Sequence, residues 1–363
     1  MRRSPATAPP SAAALLCLLL CACTSVYSSE SSFDVDCLSL VPTEAARVFL
    51  RSRAMQPGDM FSCDAIEHLG LGGGVFLGKD VELFVPALLR MRALKTLDLS
   101  HMSLAVENLR ALAPVFTKLH GLQRLSFNGN YIGHDGAAVL ADSITSDSIE
   151  WLLLEHSQIG SEGFKLLAPL LQRQNSTLTW LNLENCGLGP EGAAAVANII
   201  GSFKQLHELN IAINGLGDRG CSAVVAALPW STVRKLWLGS NALTAAALQH
   251  VQGQHLQLLD VSNNNLGPAC SQTLATALLQ MPHLRTLVLS GNERLSDSGV
   301  AAITASFRYL GSLSHVSMQG LYLSDNEHSA VTGKLGLLAV FSSCAPLTRL
   351  LRFLPPIVPV GFV

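Results

Sequence analysis

The sequence predicts an α/β fold in which about ten strand-and-helix units stack into a solenoid. Three observations lead to it. Leucine occupies 65 of the 363 positions, which is about 18% where nearer a tenth is usual. The leucines recur with a period of about 28 residues, and each period joins a strand pattern to a helix pattern. Such a unit cannot bury its apolar side alone, so it must stack on its neighbours.

The repeat follows the template apolar-x-x-apolar-x-apolar-x-x-Asn-x-Leu, which the chain matches ten times. Successive matches are 28, 28, 27, 29, 28, 27, 23, 28 and 29 residues apart. The unit that begins at Val233 is the short one, and residues 244–251 leave it about two helical turns. An eleventh, partial copy is predicted from Leu347. The ten matches begin at Ile66, Leu94, Leu122, Ile149, Leu178, Leu206, Val233, Leu256, Leu284 and Leu313.

Each unit should begin with a short strand that has one buried face. Positions four and six alternate with polar neighbours, as in a half-buried strand, so their leucines should point into the core. The ninth position should satisfy backbone groups where the chain leaves the strand, because an amide both donates and accepts. The inward pairs include Leu97 and Leu99, Leu181 and Leu183, and Leu287 and Leu289; the ninth position holds Asn130, Asn214, Asn241, Asn264 and Asn292, with Ser157 and Cys186 as partial substitutes.

A helix should follow each strand. Most units carry Gly-x-x-Gly and then an alanine-rich amphipathic run, as in residues 160–168 and 189–196. Pro190 and Pro268 stand where a helix should start, and proline suits that position because its missing N–H is not needed there. Small alanines allow neighbouring helices to pack closely on the outside of the turn.

These units resemble those of leucine-rich-repeat proteins of the ribonuclease-inhibitor-like class, over roughly residues 66–322. The resemblance implies a horseshoe-shaped solenoid with a parallel sheet on its concave face and helices on its convex face. We therefore assign residues 1–25 to a signal peptide, 26–65 to an N-terminal cap, 66–324 to ten leucine-rich repeats, and 325–363 to a C-terminal cap or degenerate repeat with an apolar tail.

The amino-terminal segment predicts entry into the secretory pathway. A basic start, an apolar run from Ala12 to Cys23 and a serine-rich stretch follow the order of a signal peptide. The chain should then be secreted or displayed at the cell surface; it is cytoplasmic if this segment is not a signal. Membrane attachment is expected only through an uncleaved signal anchor or a lipid anchor. Asn175 is a glycosylation site candidate, and Cys37 and Cys63 either form a disulfide or remain two thiols.

Composition and motifs argue against catalysis and against a bound cofactor or metal. Charged residues make up 14% and aromatic residues 6%, and the net charge of -2 fits neither a disordered chain nor a polyanion-binding one, so nucleic acid is not expected as a partner. Residues 73–79 have the spacing of a phosphate loop, but Asp80 stands where magnesium needs a hydroxyl. Histidines and cysteines are scattered without catalytic or metal-ligand spacing. We predict no enzyme activity, no cofactor and no metal.

The solvent-facing strand positions predict a binding surface. Three of the four tryptophans fall on them, and tryptophan is enriched at interface anchors. Trp151 and Trp180 should stand side by side, and Glu155 and Glu184 share a column without a basic residue, which favours a basic partner. The predicted surface, here called the concave patch, comprises Trp151, Glu155, Trp180, Asn182, Glu184, Glu208, Asn210 and, at its edge, Trp237.

The leading hypothesis is a monomeric, non-catalytic scaffold that binds a protein or peptide, basic in character, on its concave face. Two alternatives stay open at this point. One is an intracellular regulator of the ribonuclease-inhibitor or GTPase-activator type, with the apolar amino terminus misread. The other is a structural coat protein whose solenoid ends stack.

Overall fold

A computed structural model describes residues 66–72, 81–249, 251–321 and 339–340. Within them, eleven parallel strands form one sheet whose order follows the chain. The strands are β1 (His68–Gly70), β2 (Thr96–Asp98), β3 (Arg124–Ser126), β4 (Trp151–Leu153), β5 (Trp180–Asn182), β6 (Glu208–Asn210), β7 (Lys235–Trp237), β8 (Leu258–Asp260), β9 (Thr286–Val288), β10 (His315–Ser317) and β11 (Ala339–Val340).

One helix connects each strand to the next from β1 to β10, and consecutive helices pack on one another. They are α1 (Val81–Leu88), α2 (Val106–Lys118), α3 (Gly133–Ser143), α4 (Gly160–Arg173), α5 (Gly189–Ile200), α6 (Gly217–Ala227), α7 (Ala245–Leu248), α8 (Pro268–Leu278) and α9 (Asp297–Ser306). Short 3-10 turns follow α6 (Leu228–Trp230) and α9 (Phe307–Tyr309). The predicted α/β solenoid of strand-and-helix units is confirmed.

The core runs without a break between the sheet and the helices. Leu97 of β2 pairs in register with Leu69 and Leu125, and the same inward column continues through every strand to β10. The predicted inward leucines are buried completely. Each leucine side chain taken out of water contributes about 1.5–3 kcal/mol, so the stacking of units holds the solenoid together.

The ninth-position asparagines form a buried ladder along the carboxyl ends of the strands, as predicted. Asn130 Oδ1 accepts from the backbone N–H groups of Met102 (3.1 Å) and Leu104 (2.9 Å) of the preceding unit. Its Nδ2 donates to the carbonyls of Leu99 (2.9 Å) and Phe127 (2.8 Å). Asn214, Asn241, Asn264 and Asn292 repeat this arrangement. We call these five residues the asparagine ladder.

The Gly-x-x-Gly motif has two distinct structural reasons. Its first glycine adopts a positive φ at the start of the helix, +71° at Gly160, which a side chain disfavours. Its second glycine packs against the preceding helix: a Cβ on Gly163 would lie 2.9 Å from the Cα of His134. The same close approach recurs at Gly220, where a Cβ would lie 3.0 Å from the Cα of Pro190. The motif therefore sets the distance between neighbouring units.

Two expectations about the repeats are corrected. The unit from Val233 is indeed short, but α7 has four residues, which is about one turn rather than two. Its start is held by Thr244, whose backbone N–H donates to Asp218 Oδ1 at 2.7 Å. The eleventh strand, β11, pairs with β10 through Ala339 and Val340, so it precedes the predicted start at Leu347. Leu347 itself lies outside the described residues.

Several predictions fall on parts of the chain outside the described residues. They are the signal peptide (1–25), the N-terminal cap (26–65) with Cys37 and Cys63, the glycine-rich stretch 73–80, and all of 325–363 except β11. These stay predictions. No helix in the described part of the chain has the length and apolarity needed to cross a membrane.

Candidate binding surface on the concave face

The centre of the concave patch is a pair of tryptophans on neighbouring strands. Trp151 and Trp180 are partners in the β4–β5 register, and their ring centroids lie 5.1 Å apart with the rings inclined at 73°. This edge-to-face contact is the geometry that aromatic pairs prefer. Arg124, the register partner of Trp151 on β3, holds its guanidinium carbon 4.1 Å from the centroid of the Trp151 ring. The predicted side-by-side placement of the two tryptophans is confirmed. Arg124, which was not part of the predicted surface, contacts the face of Trp151.

Trp237 lies in a different column from the tryptophan pair. It is the third residue of β7 and pairs in register with Asn210 on one side and Asp260 on the other. Trp151 and Trp180 are instead the first residues of their strands. All three rings are half-buried. Trp237 therefore borders the concave patch at its C-terminal edge, beside the amide of Asn210.

Two carboxylates lie just beyond the ends of β4 and β5. Glu155 Oε2 accepts from Asn128 Nδ2 (3.4 Å) and Asn182 Nδ2 (3.3 Å), and its Oε1 lies 3.5 Å from His156 Nε2. Burial raises the pKa of the Glu155 carboxyl, and the charge of Glu184 raises it further. The charge of Glu184 thus opposes the ionisation of Glu155, as expected for like charges in one column.

Asn182 and Asn210 hold these carboxylates in place. Asn210 Nδ2 donates to Glu184 Oε2 at 2.8 Å, while Asn182 Oδ1 accepts the backbone N–H of Glu184 at 3.0 Å. Asn182 was expected to face solvent, but only 6% of it is exposed because both ends of its amide are bonded within the sheet. It orients Glu155 through its Nδ2 and the backbone of Glu184 through its Oδ1.

Glu208 has a cation beside it that sequence reasoning did not assign. Lys235, its register partner on β7, lies 2.8 Å away, from Nζ to Glu208 Oε1. The other oxygen, Oε2, is buried and has no hydrogen-bond partner among the described residues. Glu208 is therefore the member of the concave patch that forms an ion pair with a lysine, unlike Glu155 and Glu184. The repeat template could have predicted this ion pair, because Lys235 holds the same repeat position as Glu208 in the next unit.

A fourth carboxylate in this region, Asp260, was not predicted. Asp260 ends β8 and is only 6% exposed. Burial raises the pKa of its carboxyl strongly enough to outweigh hydrogen bonds from Ser262, whose backbone N–H donates to Asp260 Oδ1 at 2.8 Å, and the charge of Glu184 raises it further. The strand pattern places Asp260 on the solvent face, but neighbouring side chains cover it.

The described residues contain one group of donors able to hold a cation. Ligand atoms of Glu155, His156 and Glu184 all lie within 4.8 Å of one another. Two carboxylates and an imidazole suit divalent cations in general. In this structure the His156 ring contacts Glu155 and also Asn185, whose Nδ2 lies 2.5 Å from Nδ1.

The thiols of the described repeats are unsuited to chemistry. Cys186, Cys221 and Cys270 are buried and unpaired. Burial raises the pKa of the Cys186 and Cys221 thiols to about 12, so both remain protonated at neutral pH. Cys186 instead stands in for a ladder asparagine, with its Sγ 3.0 Å from the Leu154 carbonyl oxygen.

Asn175, the glycosylation candidate, lies between α4 and β5. Its backbone carbonyl accepts the N–H of Lys204 at 2.7 Å, and its residue surface is half-exposed. The connection is polar, as predicted, and whether it carries a glycan stays a prediction.

A family model, several curated relatives and solved structures match this chain. A family model described as "Leucine Rich repeat" matches residues 174–197, 205–225, 254–269 and 280–303. The ribonuclease inhibitor of Sus scrofa is 26% identical over 270 residues, covering 64% of this chain and 58% of that protein. NACHT, LRR and PYD domains-containing protein 5 of Mus musculus is 28% identical over 230 residues, covering 62% and 18%. The solved complex of yeast Rad7 and Elc1 aligns with a TM-score of 0.48 at 16% identity, covering 72% of this chain and 71% of that one.

The chain is a leucine-rich-repeat protein. Its repeats are of the ribonuclease-inhibitor-like class, and the pig and mouse ribonuclease inhibitors are among its relatives. The chain spans 58% of the length of the pig relative and 46% of the mouse one.

Proposed function

We propose that this protein is a non-catalytic scaffold, monomeric and secreted or surface-displayed, that binds a basic protein or peptide on its concave patch. The observation that carries the proposal is the tryptophan pair Trp151 and Trp180 next to Glu155 and Glu184. The name of the pig relative describes an inhibitor of ribonuclease, which is a protein that acts on another protein. The resemblance therefore supports a partner of the same general kind.

Charge supports a basic partner. Glu155 and Glu184 share a column that contains no Lys or Arg, and each is held by an asparagine amide rather than by a cation. A lysine or arginine from a partner would supply the missing charge. It would also hydrogen bond to oxygens already oriented, which lowers the entropic cost of binding.

Shape supports an anchored contact. The edge-to-face tryptophans and the Arg124 side chain over Trp151 form a rigid, amphipathic surface. Tryptophan and arginine are enriched at interface hot spots, and tryptophan buries a large area with only two side-chain torsions. Truncating either ring should cost more than 2 kcal/mol of binding free energy.

The decisive experiment uses the purified mature chain as bait in extracellular extract, followed by identification of what it captures. The Trp151→Ala, Trp180→Ala double variant should lose at least about thirtyfold in affinity for that partner while keeping its unfolding temperature. Trp230→Ala is the matched control, because Trp230 is 75% exposed and lies in the 3-10 turn after α6 rather than on a strand of the sheet. Equal loss in the control, or none in the double variant, would refute the patch assignment.

Location and modification need their own tests. Sequencing the amino terminus of the native protein should find the chain starting near residue 26. An intact Met1 together with a cytosolic location would instead favour the intracellular regulator. A shift in mass after enzymatic deglycosylation, absent in Asn175→Gln, would place a glycan on Asn175. Light scattering should give a monomer at every concentration, whereas assembly would favour the coat protein.

A further inference from the structure

One edge of the solenoid concentrates positive charge in its C-terminal half. We define the basic rim as the five helix-to-strand connections that precede β6 to β10, residues 201–207, 228–234, 249–257 (His250 is not described), 279–285 and 307–314. Their charged and titratable residues are Lys204, His207, Arg234, His250, His255, His283, Arg285 and Arg308, and these segments contain no Asp or Glu. The segments therefore carry four permanent positive charges, whereas the protein as a whole has a net charge of -2.

The five connections lie side by side. The backbone N–H of Arg234 donates to the His207 carbonyl at 2.8 Å, and that of Arg285 donates to the Gln257 carbonyl at 2.8 Å. Gln257 in turn donates to Arg234 at 2.6 Å, and Ser314 donates to Arg285 at 2.9 Å. Neighbouring strands are about 4.8 Å apart, so Arg234 and Arg285 lie in one row at the amino ends of the strands, with Lys204 and Arg308 in the connections on either side of them.

The cations of the rim are available. Lys204, Arg234, Arg285 and Arg308 are all exposed, and none of them forms an ion pair with a carboxylate in the described part of the chain. Arg308 lies over the ring of Tyr309, 4.7 Å from its centroid. Cations near helix C-termini are favourable in themselves, by about 0.3–1 kcal/mol at most sites, which accounts for a part of the pattern.

Helix ends do not explain the apolar side chains on the same rim. Trp230 (75% exposed), Leu279 (46%) and Tyr309 (62%) each occupy a different connection of the rim. Leu279 also borders a shallow cavity of about 330 Å³, which is lined by the connections before β8 and β9 and includes His255 and His283. An amphipathic partner could contact these side chains and the neighbouring cations at the same time.

We infer that the basic rim docks on an anionic lipid surface. A bilayer interface accepts separate aromatic and aliphatic anchors, one at a time, and attracts rows of Lys and Arg without shape complementarity. A protein interface would instead need a central apolar cluster, and the three apolar residues stand in separate connections. A soluble polyanion would use the cations but would gain nothing from Leu279. This inference does not depend on the function proposed for the concave patch.

The inference is tested by sedimentation of the full chain with vesicles of phosphatidylcholine alone or with about one third phosphatidylserine. Binding should require phosphatidylserine and weaken as salt rises from about 0.1 to 0.5 M, because exposed charges are screened. Each Lys or Arg at an anionic surface multiplies partitioning by about fivefold, so Arg234→Glu, Arg285→Glu should reduce it at least about 25-fold. Trp230→Ser should reduce it roughly tenfold without changing the unfolding temperature.

The matched control is Arg219→Glu, Arg294→Glu, which makes the same change in net charge at two residues outside the basic rim, one in α6 and one between β9 and α9. Both residues are exposed, and Arg219 has only a peripheral contact with Glu191 at 3.5 Å. Although its net charge changes by the same amount, the control variant should bind phosphatidylserine vesicles with an affinity within about twofold of that of the wild type. Equal binding to pure phosphatidylcholine, an equal loss in the control, or tight binding to soluble heparin with none to vesicles would each overturn the inference.

Discussion

The asparagine ladder and the concave patch are neighbouring sets of polar side chains. The ladder consists of neutral amides whose hydrogen bonds are satisfied, whereas the patch contains carboxylates without a neighbouring cation. Every amide of the ladder is buried and bonded on both ends to backbone groups of two successive units. In the concave patch, two glutamates half-exposed to solvent share a column without a cation, and amides hold them there. The ladder is complete within the chain, whereas the charges of the patch are not balanced within it.

The difference separates stability from function. A buried amide that meets several backbone partners is worth far more than its bonds would be in water, because leaving those groups unpaired is costly. Like charges held together lower stability, a cost that folding alone gives no reason to keep. The ladder therefore belongs to the architecture, and the patch is where a partner is expected. Three substitutions test this contrast, in decreasing order of expected effect.

The largest effect is expected for Asn264→Ala. Asn264 Oδ1 accepts from the N–H groups of Asn241 and Leu243, and its Nδ2 donates to three carbonyls, including that of Leu238. Removing the amide leaves these buried groups unpaired and should lower the free energy of unfolding by roughly 3–5 kcal/mol. Urea unfolding followed by circular dichroism measures the loss.

The adjacent Asn265→Ala is the control, because Asn265 is exposed and its backbone N–H, which donates to Leu243, survives the substitution. It should change stability by less than about 0.5 kcal/mol. Similar losses at the two positions would show that the ladder has no special weight.

A gain in stability is expected for Asp260→Asn. Asparagine already occupies the equivalent position at Asn182 and Asn210, and in each case its Oδ1 accepts the N–H two residues on, as Asp260 does. Burial raises the pKa of Asp260 above its ordinary value of 3.8. The folded protein therefore loses stability as the pH rises from about 3.8, the unfolded-state pKa, through the higher pKa of the folded state. The variant should be more stable at pH 7 by roughly 1–2 kcal/mol.

Stability measured across pH 3 to 8 distinguishes this cause from a packing effect. The gain in Asp260→Asn should vanish at the acid end, where wild-type Asp260 is protonated. Asp98→Asn, in the same column of β2 but half-exposed, should give a much smaller gain. A gain that is independent of pH would contradict the electrostatic explanation.

The smallest effect on stability is expected for Glu155→Gln. It removes one of two like charges while keeping an oxygen for the amides of Asn128 and Asn182, so unfolding at pH 7 should cost a few tenths of a kcal/mol more. Because the pKa of Glu155 is raised, the gain should decline as pH falls and the wild-type carboxyl takes up its proton.

The same variant should bind a basic partner more weakly, so stability and affinity move in opposite directions. Glu293→Gln, at an exposed glutamate outside the patch, should alter neither quantity. If Glu155→Gln lowered stability, or left affinity for the captured partner unchanged, the contrast between the ladder and the concave patch would not hold.

The fold was predictable to a large degree because its signal repeats. A single strand of three residues is too short to recognise, but ten copies in one register made the inward leucines, the asparagine ladder and the pairing of Trp151 with Trp180 readable. The helix of the short unit was overestimated because Thr244 to Val251 reads as helical in composition. In the structure, a single turn fills the shorter connection between β7 and β8.

The sequence by itself determined which residues share a column, because a parallel sheet in chain order places equivalent repeat positions side by side. Only the tertiary structure decided what lies beside each column and how deeply it is covered. It brought Lys235 to Glu208, laid Arg124 over Trp151, buried Asp260 and Asn182, and collected the cations of five connections on one rim. These outcomes depend on side-chain reach and burial across neighbouring units, which a position in a repeat does not specify.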